Sequence, residues 1–167
     1  MSSIYFIADT HFSDENIIRY ENRPFQNITQ MNNEIIYRWN CVIKNNDIVY
    51  ILGDFGAEKN EYSILSQLNG NKYLVKGNHD KYSNEYYRHT GFIEVYDMPI
   101  ILNEFWILSH KPMYVNKNMP YANIFGHIHN SPMFHTYSNQ HYCVSVERIN
   151  YTPISLNEII QKIQSQN

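Results

Sequence analysis

Several short apolar segments of this chain end directly in Asp, Asn or His side chains, and this feature constrains the fold most. The segment Ile4–Ala8 is unbroken in apolar residues and runs into Asp9 and His11. Such a run is typical of a strand buried on both faces, in a sheet covered by helices or by a second sheet. The other endings are Gly53-Asp54, Gly77-Asn78-His79-Asp80, Ser109-His110 and Gly126-His127-Ile128-His129. Open α/β sheets bind ligands at the carboxyl ends of their strands, so these endings predict a functional site along one edge.

A long loop and a helix are predicted between the first strand and the second. Residues Phe12 to Ile28 are polar and numerous for a connection inside a domain, and long ordered loops are usually functional. Thr29 can cap a helix that ends near Lys44–Asn46. The apolar residues of this helix recur at helical spacing and are Met31, Ile35, Trp39 and Val42. We expect this stripe to face the sheet.

The rest of the chain alternates between apolar segments and turn residues. A second strand is predicted over Asp47–Leu52, and a third ends at Tyr73–Val75. The remaining predicted elements are a helix over Tyr62–Leu68 ended by Asn69-Gly70, a helix over Tyr82–His89, a hairpin with arms Ile93–Leu102 and Phe105–Leu108, strands over Asn123–Phe125 and Tyr142–Val146, and an amphipathic helix over Leu156–Ile163.

Length and composition indicate one domain over residues 1–167. A chain of 167 residues can bury a core without disulfide bonds, and 43% hydrophobic with 17% charged residues argues against disorder. The net charge is -3, and the Lys and Arg residues are scattered rather than gathered into a basic stripe. Long duplex DNA is therefore not an expected partner.

Cysteine usage and hydropathy exclude two further classes of protein. Cys41 and Cys143 form no CxxC unit, so neither a disulfide framework nor a thiolate zinc site is expected, and both are predicted to be buried free thiols. The first apolar run ends at Asp9 without a basic leader, and no stretch approaches the ~20 apolar residues that span a bilayer. We expect no membrane association and a cytoplasmic protein.

The side chains at the strand ends form a set that is typical of a metal centre. The set offers two carboxylates, four imidazoles and one amide oxygen: Asp9, His11, Asp54, Asn78, His110, His127 and His129. These are too many ligands for one tetrahedral zinc and about right for two ions that share a bridging carboxylate. Mixed imidazole and carboxylate ligands suit transition metals, with Mn²⁺ as our first expectation and Fe, Zn, Ni or Co as alternatives.

Two such ions favour the hydrolysis of a phosphoester. Ions ~3.5 to 4 Å apart can lower the pKa of a bridging water and clamp the attacking and leaving oxygens at phosphorus. His79 would lie beyond the ions and stabilise or protonate the leaving group, while Asp80 would hold its tautomer. Asn16 and Arg23 of the long loop are candidates for contact with a substrate phosphate or base, and a loop-anchoring role is the alternative.

The five strand-end blocks, taken in order, resemble the signature of the calcineurin-like metallophosphoesterases. The resemblance implies an α/β (α+β) fold with a two-sheet sandwich flanked by helices, and this chain has no segment that could form a cap domain. Three further segments are similar to small stand-alone phosphoesterases of bacteria and phages: Asn16–Phe25, Arg38–Asn40 and Val144–Glu147.

The resemblance also implies a role for each site residue. One ion would be held by Asp9, His11 and His129, the other by Asn78, His110 and His127, and Asp54 would bridge them. By the same resemblance His79 is the catalytic acid or transition-state stabiliser, with Asp80 as its partner.

These features lead to one principal hypothesis and three alternatives. We expect a dinuclear phosphodiesterase that acts on small or nucleotide-type phosphoesters through a metal-bridging hydroxide, because an open cleft without a cap favours small diesters. A phosphomonoesterase or an exonuclease of the same superfamily are alternatives. A metal-bound scaffold without catalytic activity is the third, although such scaffolds usually lose ligands that this chain retains.

Overall fold

Two β-sheets form the framework of the protein, and helices flank them. The computed structural model describes residues 2–56, 61–132 and 138–165. The strands are β1 (Ile4–Ile7), β2 (Ile48–Ile51), β3 (Asn71–Val75), β4 (Glu94–Tyr96), β5 (Ile100–Leu102), β6 (Trp106–Ser109), β7 (Ala122–Phe125), β8 (His141–Cys143) and β9 (Ile154–Ser155). The helices are α1 (Glu15–Tyr20), α2 (Ile28–Val42), α3 (Glu61–Leu65), α4 (Asn84–Thr90) and α5 (Leu156–Gln164). The predicted two-sheet fold flanked by helices is confirmed.

Both sheets are mainly parallel, and this arrangement positions the site. The first sheet has the strand order β4-β3-β2-β1-β9, with β9 the one antiparallel strand. The second has the order β5-β6-β7-β8, in which β5 and β6 form an antiparallel hairpin and β6, β7 and β8 run parallel. Because parallel strands end at the same edge, the loops after β1, β2 and β3 emerge together, as do those after β6 and β7.

The apolar run of β1 is unbroken because the strand faces two cores. Ile7 lies in a cluster with Ile35 and Trp39 of α2, between the first sheet and its helices. Phe6, which points the opposite way, lies in a cluster with Leu108 and Ile124 of the second sheet. All six side chains are fully buried, and each contributes roughly 1.5–3 kcal/mol relative to exposure. Burial of this strand on both faces, as the sequence predicted, is confirmed.

The long helix α2 buries the predicted face, but its cap lies two residues before the predicted one. Met31, Ile35 and Trp39 are fully buried. The cap is Asn27, whose side chain accepts a hydrogen bond from the backbone N–H of Gln30, so the prediction of Thr29 was wrong. Asn27 is the better cap because its extended backbone allows the side chain to reach the third helical residue.

Two segments between the strands differ from their predictions. The stretch predicted as a long loop contains α1, because the Asp14 side chain accepts from the N–H of Asn16 and caps a short helix. The predicted hairpin arm Ile93–Leu102 is two strands, β4 in the first sheet and β5 in the second. The chain crosses between the sheets at Asp97–Pro99, where the Asp97 carboxylate accepts from Lys76 and Asn84.

The chain crosses back between the sheets after β8. Strand pairing stops at Cys143 rather than at the predicted Val146, because the next residues bond to the first sheet. Ala8 donates its N–H to the carbonyl of Val144, and Val146 donates to the carbonyl of Ala8. This crossing ties the two sheets together beside the strand ends that carry the polar residues.

The prediction of two buried free cysteines is confirmed for one of them. Cys143 is buried as predicted, whereas Cys41 is exposed on α2 because its position lies outside the stripe that faces the sheet. Neither forms a disulfide. Within the residues that the structure describes, no helix combines the length and the apolar character that crossing a membrane requires.

Candidate metal centre

The loops after five strands bring the predicted ligands to one place. Their potential ligand atoms fall into two groups, in each of which the atoms lie within 4.8 Å of one another: Asp9, His11 and His129, and Asp54, His110 and His127. The first group joins the loop after β1 to the loop after β7. The second joins the loops after β2, β6 and β7, so that both sheets contribute to both groups.

Asp54 lies between the two groups. Its Oδ2 atom is 3.7 Å from Nε2 of His11 in the first group and 3.4 Å from Nε2 of His110 in the second. Asn78 adjoins the second group, because its Oδ1 atom is 3.0 Å from the same nitrogen of His110. One carboxylate oxygen thus faces imidazoles of both groups, and an amide oxygen completes the second.

The buried polar atoms of the centre fit a cation. Asp9 Oδ1 and His11 Nε2 are buried, and no hydrogen bond reaches either of them in the described residues. A buried polar atom without a partner costs about 1–3 kcal/mol, and more when the group is charged. Carboxylate oxygen and imidazole nitrogen are ligands that divalent transition metals accept, so a bound ion would satisfy both atoms.

Burial and neighbouring charges set the protonation of these groups. Burial raises the pKa of Asp9 to about 6 and lowers the pKa of His11 to about 4. Burial would also raise the pKa of Asp54, but the hydrogen bond and charge of His110 outweigh it and lower the pKa to about 2. At neutral pH His11 is therefore a neutral imidazole and Asp54 an ionised carboxylate, which are the forms that bind metals.

The backbone of the ligand loops is strained in a consistent way. Five of the seven predicted ligands have positive φ angles between 45° and 71°: Asp9, His11, Asp54, His127 and His129. Such left-handed conformations are uncommon outside glycine and tend to cluster at functional sites. The chain turns sharply at these strand ends, and the side chains of different loops come together there.

Glycines beside the ligands allow the loops to approach closely. A Cβ atom added to Gly77 would lie 2.6 Å from the backbone nitrogen of Asp54 and closer still to its carboxylate. A Cβ added to Gly126 would lie 2.7 Å from Oδ2 of Asp9. Real Cβ atoms do not approach other atoms this closely, so these glycines are required by the separation between loops of different strands.

Asp9 and His110 each have one side-chain atom fixed by the protein. Asp9 Oδ2 accepts from the N–H of His127 at 2.8 Å and from the hydroxyl of Ser145 at 2.6 Å, which leaves Oδ1 free. His110 Nδ1 is 2.9 Å from the carbonyl of Leu52, which leaves Nε2 for the centre. The fixed atom sets the orientation and the free atom points to the space that an ion would occupy.

The last ligand histidine is held by an ion pair that the sequence reasoning did not identify. His129 Nδ1 is 3.1 Å from Oε1 of Glu147, and the side chain of Glu147 is almost fully buried. The same Oε1 atom accepts from Arg23, at 2.9 Å from Nε and 2.7 Å from the terminal nitrogen. The available sequence signal for Glu147 is the segment Val144–Glu147, which resembles small stand-alone phosphoesterases.

Arg23 holds the loops, so the suggestion that it contacts substrate was wrong. Its guanidinium is fully buried, and it donates to the backbone carbonyls of Asp9 at 2.6 Å and Thr10 at 2.9 Å. The loop-anchoring alternative is the one that the structure supports. Asn16 is exposed in the first turn of α1, and its contact with substrate stays a prediction.

Asp80 has a different partner from the predicted one. Its Oδ2 atom accepts from the N–H groups of Asp54 and Gly77, both at 2.7 Å, and Oδ1 accepts from Phe55 at 3.1 Å. Backbone donors thus engage both oxygens, and the expectation that Asp80 holds the His79 tautomer was wrong. The carboxylate instead fastens the loop after β3 to the loop after β2.

His79 lies at the open side of the centre. Its backbone N–H donates to Oδ1 of Asp54 at 2.8 Å, while its ring is exposed and stands edge-on to the ring of His11, with the centroids 5.3 Å apart. The backbone bond fixes the position of the residue, and within the described residues no hydrogen bond holds the imidazole.

Three comparisons with known proteins agree with this geometry. The sequence model of the calcineurin-like phosphoesterases matches residues 2–157. An uncharacterized protein of Methanocaldococcus jannaschii is 35% identical over 174 residues, which covers 98% of this chain and 93% of that protein. The crystal structure of a protein of unknown function from Aquifex aeolicus superposes with a TM-score of 0.75 at 27% identity, covering 97% of this chain and all of that one.

Proposed function

Because this chain belongs to the calcineurin-like phosphoesterase family, we propose that it is a dinuclear metal-dependent phosphodiesterase acting on small or nucleotide-type phosphoesters. The position of Asp54 Oδ2 between the two groups of ligand atoms carries the proposal, because a shared carboxylate is what a pair of ions requires. Mn²⁺ is the proposed ion, with Fe, Zn, Ni and Co as alternatives.

The residues of the chain divide the work of the reaction. Asp9, His11 and His129 would hold one ion, Asn78, His110 and His127 the other, and Asp54 would join them. Divalent ions in such a site lower the pKa of water toward neutrality and polarise phosphoryl oxygens.

His79 is the proposed general acid. Its exposed imidazole can reach a leaving oxygen on the open side, while its backbone bond to Asp54 keeps it beside the centre. The buried groups Arg23 and Glu147 keep His129 and the loop after β1 in place before substrate arrives. A preformed site of this kind loses little free energy to reorganisation during the reaction.

Metal-stripped protein tests the proposal directly. Bis-p-nitrophenyl phosphate and p-nitrophenyl phosphate are assayed side by side after the addition of Mn²⁺, Ni²⁺, Zn²⁺ or Mg²⁺. We expect Mn²⁺ to restore turnover of the diester in preference to the monoester. Preference for the monoester would replace the diesterase with a phosphomonoesterase, and two bound ions without turnover of either ester would support the scaffold alternative.

A matched pair of variants assigns the activity to this centre. Asp54→Asn removes the shared charge, whereas Glu34→Gln changes a partly exposed carboxylate on α2 that pairs with Arg38. Turnover should disappear in the first variant and persist in the second. Equal activity in the two would place the hydrolysis elsewhere or in a contaminant.

A further inference from the structure

A cavity of about 430 Å³ adjoins the metal centre at the seam between the two sheets. Asn78 and His110 of the centre form one of its walls. The other walls come from the end of β3, the crossing between β4 and β5, and the loop after β6. The cavity is therefore continuous with the space where the phosphoryl group of a substrate would lie.

The walls of the cavity are mainly apolar. They include Val75, Met98, Pro99 and Met113, and two of these stand open to solvent, with Met98 72% and Met113 40% exposed. Methionine adapts its shape and makes favourable contacts with the edges of aromatic rings. A volume of this size is in the range of small-molecule pockets and holds one nucleoside-sized group rather than a polymer.

Two lysines line the cavity, and they differ in whether a carboxylate neutralises them. The Lys76 ammonium is 3.0 Å from Asp97 and donates to the carbonyl of Tyr82 at 2.8 Å, so its charge is neutralised locally. Lys111 directly follows His110, lines the same cavity and is exposed. Over residues 2–56, 61–132 and 138–165, no carboxylate pairs with Lys111. An apolar cavity with a cation among its lining residues complements a planar group attached to a phosphate.

We propose that this cavity binds the nucleobase and sugar of a nucleotide-type phosphodiester, with the base against Met98 and Met113 and the phosphate between Lys111 and the metal centre. The inference rests on the proposed function and specifies its substrate: one flanking group of the diester is a nucleoside. A small alkyl flanking group would leave the apolar walls exposed to water and would not contact Met98 and Met113.

Two diesters with the same leaving group test the proposal. Thymidine 5′-p-nitrophenyl phosphate carries a nucleoside, whereas methyl p-nitrophenyl phosphate carries a methyl group in its place. We expect the wild-type protein with Mn²⁺ to prefer the nucleoside diester by at least tenfold in kcat/KM. Met98→Ala should lower that preference severalfold, while Tyr37→Ala, which removes an exposed ring from α2, should leave it unchanged.

A binding experiment provides a readout that does not depend on turnover. Protein with [¹³C]methyl-labelled methionine is titrated with adenosine 5′-monophosphate and, separately, with methyl phosphate. The signals of Met98 and Met113 should shift with the nucleotide and not with methyl phosphate, and the signal of the buried Met31 should stay in place.

The outcomes separate the inference from the function on which it rests. Equal kcat/KM for the two diesters, or nucleotide binding that leaves the Met98 and Met113 signals unmoved, would overturn the cavity assignment while the phosphodiesterase stands. Turnover of neither diester with any ion would overturn the phosphodiesterase itself. Shifts of the two methionines by an apolar peptide, with none from the nucleotide, would assign the cavity to a protein partner instead.

Discussion

The two sheets contribute different chemistry to the centre. The first sheet supplies both carboxylates, the amide oxygen and one imidazole, whereas the second supplies imidazoles alone, from His110, His127 and His129. The acids also accept backbone hydrogen bonds across loops, as Asp9 does from His127 and Asp54 does from His79. The difference indicates that the first sheet organises the loops of both, and that the second presents ligands whose orientation depends on partners.

Carboxylates of the first sheet differ among themselves by how many oxygens the protein uses. Asp9 and Asp54 each accept a backbone N–H with one oxygen. The other oxygen of Asp9 has no hydrogen-bond partner in the described residues, and that of Asp54 faces His11 and His110. Asp80 has both oxygens engaged by backbone donors. We therefore expect Asp9 and Asp54 to bind metal ions and Asp80 to stabilise the fold. Substitutions can separate the two roles.

The largest expected effect is that of Asp54→Asn. The amide keeps an oxygen that can accept from His79 but loses the charge that faces both groups, so kcat/KM for bis-p-nitrophenyl phosphate should fall by about 10³-fold. The midpoint of urea unfolding should change little. Activity above a tenth of wild type at saturating Mn²⁺ would show that Asp54 does not join two ions.

Asp80→Asn should act mainly on stability. An amide offers one acceptor where the carboxylate offers two, and its NH₂ group would face backbone N–H donors, so the free energy of unfolding should fall by about 3 kcal/mol. Urea denaturation followed by circular dichroism measures it. Glu34→Gln, at a partly exposed ion pair on α2, is the control and should cost about 0.5 kcal/mol or less. A loss of activity without a loss of stability would support the catalytic role for Asp80 that the sequence predicted.

His79→Ala should show the opposite behaviour from its neighbour. The link to Asp54 runs through the backbone N–H, which alanine retains, so stability and metal content should hold. Removal of the proposed acid should lower kcat about 100-fold for a diester with a poor leaving group. The decrease should be smaller for p-nitrophenolate, which needs little protonation, and equal decreases for both would argue against an acid role.

Glu147→Gln should have the smallest effect of the four and should reveal the dependence of the second sheet on its partners. Loss of the charge that orients His129 should lower the affinity for one of the two Mn²⁺ ions by about 10- to 100-fold. Isothermal titration calorimetry of metal-stripped protein should show one ion bound with lower affinity and one bound with unchanged affinity. Two ions weakened equally would mean that Glu147 supports the whole loop framework rather than one ligand.

Local sequence signals were sufficient for the parts of the site that lie at strand ends. Asp9 follows an apolar run directly, and Asp54 and Asn78 follow one within three residues, so both the strand and the predicted ligand are visible in a short stretch of sequence. The structure brings all seven predicted ligands together for that reason. The strand β1 and the helix α5 were equally accessible, because their hydrophobic patterns are complete within the element.

Long-range partners were not accessible in the same way. Asp80 bonds to donors 25 and 26 residues earlier in the chain, and Arg23 pairs with a carboxylate 124 residues later. The segment Ile93–Leu102 looks continuous because apolar residues occur in both β4 and β5, and only the fold assigns them to different sheets. The two-residue strand β9 is too short for any periodicity to appear.

The left-handed backbone at the predicted ligands also limits which residues could replace them. Asp, Asn and His tolerate positive φ better than other residues with a side chain, whereas a bulky or β-branched residue there is a genuine outlier. A change toward softer ligands such as cysteine would add a conformational penalty of about 1–2 kcal/mol per position to the change in coordination. Natural or engineered variation of the metal preference should therefore arise in the residues that surround Asp9, His11 and His129 more readily than in those three positions.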